Sequence, residues 1–320
     1  MTIRLTVRRA LWRAHVAQVV AAVAAAGGGL VPVVKGNGYG FGRRWLAEQA
    51  AEFSGTVAVG TVHELDGLPD TVTPAVLTPT LERPDAWSPP GATGPAPILT
   101  VGNERHVEVL ADWGGRVVVK LSSPMRRFGG DADLVGTARA AGLDVVGVGI
   151  HPPLAGTTAD HLAAIESRLG GIDPGLDVWV SHLDPTAYAT LPTTHRYRLR
   201  LGTLLWHGDK SPLHLDADVL DVRAVRAGDT AGYRLAPVPG DGHLVMIGAG
   251  TANGVTMIDE GDRSLSPFHF RRTRLALHEP PHMHTSMAFV PSGDPVPEIG
   301  DRVDVQRPLH MTLVDSVRWR

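Results

Sequence analysis

Only three of the chain's 30 basic residues are lysines, Lys35, Lys120 and Lys210. Chemistry that needs a deprotonable side-chain amine therefore has three candidates. Lys35 closes the apolar run LVPVV (30–34) and is followed by a glycine-rich turn, GNGYGFG, that carries Tyr39. An amine at the end of a buried strand is dehydrated, which lowers its pKa and makes it a nucleophile towards an aldehyde. The same position also suits a lysine that snorkels from a rim. The glycines of the turn would let backbone approach a phosphate. Fifteen histidines add groups that titrate near neutrality. His282 and His284 alternate by two in HMHTSMAFV (282–290), with His278 and Glu279 just ahead. On a strand both would share one face, which suits either zinc ligation or partly exposed polar residues.

Composition removes other chemistry. With no cysteine among 320 residues, thiolate catalysis, cysteine-ligated zinc, iron–sulfur clusters and disulfides are excluded. A formal net charge of −3 gives no overall positive field to draw in nucleic acid or an anionic membrane. The basic run RRTR (271–274) reads as a solvated loop. The longest charge-free stretch, Val16 to Val34, includes Gln18, three glycines and Pro32, which disqualifies it as a membrane span. Arg8 and Arg9 ahead of an alanine-rich stretch mimic a twin-arginine signal, but strand TIRLTVRR followed by a helix from Leu11 to Ala26 is the better account, with Gly27 to Gly29 as the stop. No secretion signal is persuasive, so a cytoplasmic protein is expected, with small molecules or further copies of itself as partners.

The elements that would position these residues follow from periodicity. Short β-branched runs recur at 30–34, 56–60, 74–78, 97–101, 116–121, 143–150, 177–181 and 197–201. They are nearly apolar on both faces and alternate with helix-like stretches, the pattern of buried parallel strands. The economical reading is a TIM-like (β/α)8 barrel over 13–206, with one or two connecting helices curtailed because the stretch is short for that fold. Beyond Trp206 the texture turns to alternating, turn-rich sequence, exemplified by DVLDVRAV (218–225), HLVMIGAG (243–250) and DRVDVQ (301–306). That predicts a mostly antiparallel β domain over 207–320. Residues 1–12 supply an N-terminal strand with no place in the barrel, which is expected to pair with the β domain.

In such barrels the active site lies at the C-terminal ends of the strands, and several segments there resemble one known family. VVKGNGYGFG is similar to the cofactor-lysine motif of the alanine racemase family, fold-type III enzymes that use pyridoxal 5'-phosphate. Further matches follow in family order: VVVKLSSPMRRFG, GVGIHPPLAG, WVSHLDP and RLRLGTLLWHG. The resemblance implies that Lys35 holds the cofactor as an aldimine and serves as a base. It places Lys120 in support of Arg127, with Arg127 at the cofactor's phenolate oxygen and in contact with substrate, and His151 against the pyridine ring. It puts Arg200 at the pyridine nitrogen and Tyr39, Ser181, Gly202 and Thr203 around the phosphate. A head-to-tail homodimer is implied, each site completed by the partner's β domain, with an amino acid as the substrate.

The sequence departs from the family where the second acid–base group is expected. Family racemases carry a tyrosine in a Gly-Tyr-Ala-Asp-Gly motif, whereas this chain reads GAGTANG and has Thr251 in that place. An unactivated threonine hydroxyl is no general base near neutral pH. Met287 matches the methionine of the substrate-carboxylate strand, with Ala288 where an aspartate is usual. Two other readings therefore stand beside the racemase. One is a metal-assisted dehydratase or aldolase acting on D-hydroxy amino acids, since the histidine cluster, the Gly300–Asp301 turn and Pro308-x-His310 resemble D-serine dehydratases and D-threonine aldolases, although Thr312 replaces their second ligand. The other is a protein that binds the cofactor without catalysis.

Overall fold

The computed structural model describes residues 2–83 and 94–320. The chain opens on strand β1 (Ile3–Val7), buried along its whole length, and runs into helix α1 (Arg9–Ala25). Seven of the 17 residues of α1 are alanine, the best helix former. Its buried positions Trp12, Val16, Val19 and Val23 recur at the spacing of one helix face. It ends where predicted: Gly27, Gly28 and Gly29 all have positive φ, and Gly28 N–H returns 2.8 Å to the Val23 carbonyl.

Two compact units divide the chain, residues 13–209 and residues 1–12 with 210–320. The first contains the parallel strands β2 (Leu30–Pro32), β3 (Thr56–Val59), β4 (Thr73–Val76), β5 (Leu99–Val101), β6 (Arg116–Lys120), β7 (Asp144–Gly149), β8 (Asp177–Ser181) and β9 (Tyr197–Leu201). Each falls on one of the eight predicted runs. Ladders join β5 through β9 in sequence order and bring β9 back beside β2, while β3 pairs with β4. Two single bridges, Val33 with Ala58 and Ala75 with Ile98, close the remaining gaps. The result is a (β/α)8 barrel with no open edge. Its helices are α2 (Arg43–Ala51), α3 (Glu104–Leu110), α4 (Leu134–Ala140), α5 (Thr158–Glu166), α6 (Pro185–Tyr188) and α7 (Thr203–His207). The expected curtailment falls between β3 and β4, where a single turn, Val62–Glu64, replaces a helix, and at the four-residue α6.

The second unit is antiparallel β structure built on the 13-residue strand β10 (Leu213–Val225). β1 pairs antiparallel with its first half, Arg4 facing Asp216, and parallel with Ser316–Trp319. A register shift between Val219 and Asp221 then passes β10 to the strand Gly242–Ile247, which pairs with Ser286–Pro291. The Arg4 guanidinium and Asp216 are both buried, at 5% and 3% exposure, and meet at 2.8 Å, with Asp218 at 3.1 Å from the same nitrogen. A buried cation that loses its main partner is uncompensated. Asp216→Ala should therefore destabilise this unit by about 3 kcal/mol, read as a lower urea midpoint in chemical unfolding. An unchanged midpoint would contradict it.

Candidate active site

Backbone geometry at the end of β2 sets the first group. Val33 and Val34 extend the ladder by donating to the carbonyls of Leu201 and Ala58, each at 2.8 Å, and Lys35 emerges from them at the mouth of the barrel. The following turn depends on left-handed backbone. Gly38 has φ 62° and a Cβ there would run into the Arg43 backbone. Tyr39 takes φ 56° despite its side chain, and its neighbours hold it there. Its ring is buried, the His207 Nε2–H donates to its carbonyl at 2.8 Å, and the two rings meet edge to face at 5.6 Å.

The other barrel strands end in the remaining predicted residues. Lys120 terminates β6 with 6% exposure. Its Nζ lies 5.6 Å from the Phe128 ring, and the Arg127 guanidinium lies 4.8 Å from the same ring. His151 follows β7 and its Nδ1 is hydrogen-bonded to the Ser181 hydroxyl at the end of β8. The next ring, His182, lies tilted against His151 with 4.4 Å between the ring centres and donates Nδ1–H to the Pro152 carbonyl at 2.8 Å. Arg200 on β9 reaches back across the mouth, donating from Nη2 to the Ile150 carbonyl at 3.0 Å and from Nε to the Val180 carbonyl at 3.4 Å. Gly202 and Thr203 then begin α7.

Electrostatically this mouth is a cluster of cations. Burial, then Arg127, pull Lys35 below its usual value; Glu64 pulls the other way, and Arg200 adds a smaller lowering. Lys35 nonetheless keeps contact with solvent. Lys120 falls to about 7 through burial and the charges of Arg200 and Arg127. Burial lowers Arg200 to about 10, which still leaves it cationic at neutral pH. His151 drops to about 2 through burial and the surrounding cations, so it is a neutral imidazole. Only positive charges are prominent around Lys120, Arg200 and His151. Cations that outnumber the one carboxylate acting on Lys35, Glu64, form a donor set for an anion.

A second observation fits a phosphate-bearing group. A Cβ on Gly202 would overlap the Tyr39 hydroxyl. The hydroxyl therefore lies directly over bare backbone at the start of α7, a cradle of the kind that admits a phosphate oxygen. Lys35, Tyr39, Lys120, Arg127, His151, Ser181, Arg200, Gly202 and Thr203 thus all belong to the strand ends of one barrel. Four neighbours were not singled out from sequence. His182 and His207 lie inside motif segments but carry no distinguishing spacing. Phe128 marks its role only through the two cations beside it. Glu64, whose Oε2 accepts the Gly60 N–H at 2.7 Å, has no sequence signal at all.

The remaining expectations fall in the β unit. Thr251 starts a short turn, Thr251–Asn253, and is exposed. Its N–H donates to the His282 carbonyl and that of Ala252 to the Met283 carbonyl, both at 2.8 Å. Asn253 is buried, with its Nδ2 donating to the Leu313 carbonyl at 3.0 Å. Met287 sits within the strand Ser286–Pro291 and packs against Val238, Leu244 and Phe289. The prediction that His282 and His284 share a strand face is corrected: the strand starts at Ser286, and both histidines occupy the preceding turn. The His282 N–H closes a turn on the Thr285 carbonyl at 2.8 Å, so the strand cannot begin before that turn is complete. His282 bonds instead to Glu279. Among the described residues no three histidine, aspartate or glutamate side chains gather as a metal site, and no helix is long and apolar enough to cross a membrane.

Fold and site together define a class: a (β/α)8 barrel followed by an antiparallel β unit, with an amine poised in a cationic mouth at the C-terminal ends of the strands. The chain belongs to the alanine racemase family, whose N-terminal domain matches residues 8–210. Its fold is similar to alanine racemase from Bartonella henselae with covalently bound pyridoxal phosphate, at 18% identity and TM-score 0.72, each chain covered in full. Alanine racemase from D-cycloserine-producing Streptomyces lavendulae matches at 19% identity and TM-score 0.69, over 100% of this chain and 97% of that one. The biosynthetic alanine racemase of Pseudomonas aeruginosa matches at 17% and 0.70, over 100% and 99%. No curated protein matches the chain in sequence.

Proposed function

We propose that this protein is a pyridoxal 5'-phosphate-dependent amino-acid racemase, acting as a head-to-tail homodimer in the cytoplasm. The observation that carries the reading is the mouth itself: a lysine amine with a lowered pKa, set among Lys120, Arg127 and Arg200 with only Glu64 opposing. When bound, pyridoxal phosphate supplies an aldehyde for amine attachment and a ring that draws electrons from Cα.

This chain's residues do the rest. Lys35 Nζ, dehydrated and flanked by cations, gives up its proton more readily than a surface lysine and serves both as attachment point and as base for Cα. Tyr39, Ser181, Gly202 and Thr203 would hold the phosphate. Burial pushes the Tyr39 hydroxyl up to about 12, so it stays a neutral donor. Arg127 would face the phenolate oxygen and the substrate carboxylate, and His151 the ring. Arg200 remains a cation and a pure hydrogen-bond donor, and beside the ring nitrogen it would leave that nitrogen without a proton of its own, which would favour simple proton exchange over side reactions. Thr251 and Met287 are assigned to the substrate side of the site from the β unit.

Proton NMR in heavy water tests the reading directly. The cofactor-loaded protein is given the L- and D-forms of alanine, serine, glutamate, lysine and arginine in turn. The expected result is loss of the Cα proton signal of at least one pair with inversion of configuration. Retention of the Cα proton in every case would sink the racemase and leave a protein that binds the cofactor without catalysis.

A further inference from the structure

Glu64, the one carboxylate acting on Lys35, has a seat of its own in the barrel mouth. Parallel pairing sets Val33 beside Ala58, and Val34 N–H donates to the Ala58 carbonyl at 2.8 Å. Two residues further on, Lys35 past β2 therefore stands level with Gly60 past β3. The Gly60 N–H donates to Glu64 Oε2 at 2.7 Å. A Cβ on Gly60 would meet the two Glu64 oxygens at 3.0 and 3.1 Å, so bare backbone is what lets the carboxylate settle there. Among the described residues Glu64 makes no ion pair, and Oε1 has no hydrogen-bond partner. The charged groups that face Lys35 are Arg127 from the loop after β6, Glu64 from the turn after β3, and Arg200 on β9. Burial and both arginines weaken the hold of the amine on a proton, and Glu64 opposes them. A lysine that takes a proton from carbon must become an ammonium, which a mouth of cations disfavours.

We propose that Glu64 is a positioning residue for Lys35, its carboxylate serving as the counter-ion of the ammonium that forms when Lys35 takes the Cα proton; the inference rests on the racemase reading. The Lys35 Nζ lone pair accepts the proton, and the resulting ammonium later returns it. Glu64 stays ionised throughout, so protons balance and no electrons are exchanged. Oε2 remains on the Gly60 N–H, which leaves Oε1 available to an N–H donor. Without this charge Arg127 and Arg200 act on the amine unopposed, and Lys35 becomes a weaker base.

Glu64→Gln tests this, because the amide keeps an oxygen for the Gly60 N–H and removes only the charge. In the cofactor-free full chain, the lysines are tagged by reductive methylation with carbon-13 formaldehyde and titrated by NMR, the Lys35 signal being the one missing from Lys35→Ala. Lys35 is expected to titrate about one pH unit lower in Glu64→Gln than in the parent. Glu64→Asp, which keeps the charge, brings the titration back towards the parent's. In the cofactor-loaded chain, racemisation by Glu64→Gln falls about 10-fold in kcat, the equivalent of one pH unit, with little change in KM. A Lys35 titration that does not move in Glu64→Gln, or one that moves equally in Glu64→Asp, overturns the assignment while the racemase reading stands. Absence of Cα exchange in the unmutated protein instead brings down the racemase reading and the role of Glu64 in it.

Discussion

Lys35→Ala abolishes any borohydride-reducible bond between protein and pyridoxal phosphate and lowers racemisation by about 10⁴-fold, the upper range for a positioned acid–base group. The expectation rests on elimination among three amines. Lys210 belongs to the β unit, outside the barrel. Lys120 is buried at 6% exposure against Phe128 and walled by cations. Lys35 alone combines a lowered pKa with open contact to the mouth. Removing it leaves Arg127, Arg200 and the Tyr39–Gly202 cradle in place, so the variant should still take up the cofactor without covalent attachment. Dialysis should strip the cofactor from the variant and not from the unmutated protein, and mass spectrometry after reduction shows whether a bond existed. A reducible bond that survives in Lys35→Ala transfers the role to another lysine and breaks the proposed assignment.

Most of the barrel is readable in the sequence because parallel strands are buried on both faces, and such runs keep their apolar signal whatever surrounds them. The site at their ends is legible for the same reason: a polar or charged residue that closes an apolar run, as Lys35, Lys120 and Ser181 do, marks the rim. What stayed hidden depends on contacts distant in sequence. Nothing in the alternation of IRLTV indicates that Arg4 is buried against Asp216, 212 positions further along the chain, because the pattern assigns faces without naming partners. His282 and His284 were misplaced for a local reason: alternation does not reveal the turn that the His282 N–H closes on the Thr285 carbonyl. Glu64 reaches the Lys35 environment from a turn after β3, and a lone glutamate in a loop is indistinguishable from any solvated one.

Lys120→Met should make the cofactor-free protein more stable by about 2–4 kcal/mol at pH 7, in line with other replacements of buried charge by apolar groups. The cause is the cost of keeping Lys120 dry beside two arginines, which brings its pKa from 10.5 in an open chain to about 7. Between those two values the unfolded chain binds a proton that the folded protein lacks, so this group's contribution to stability rises with pH across that window. The penalty is fully present below about pH 7 and gone above about 10.5, and its size is about 5 kcal/mol before solvent relaxation is counted. Methionine keeps the stem and its contact with Phe128. Urea unfolding followed by tryptophan fluorescence should show the variant's advantage at pH 7 shrinking by pH 9.5. A variant less stable than the parent at pH 7 would mean that an anion or carboxylate already compensates Lys120. A cationic Lys120 would stabilise an anion in the mouth, so inorganic phosphate or pyridoxal phosphate should protect the parent against urea more than it protects Lys120→Met. The cationic mouth is costly to fold while empty of charge compensation, and a bound anion offsets that cost in proportion to the cations it meets.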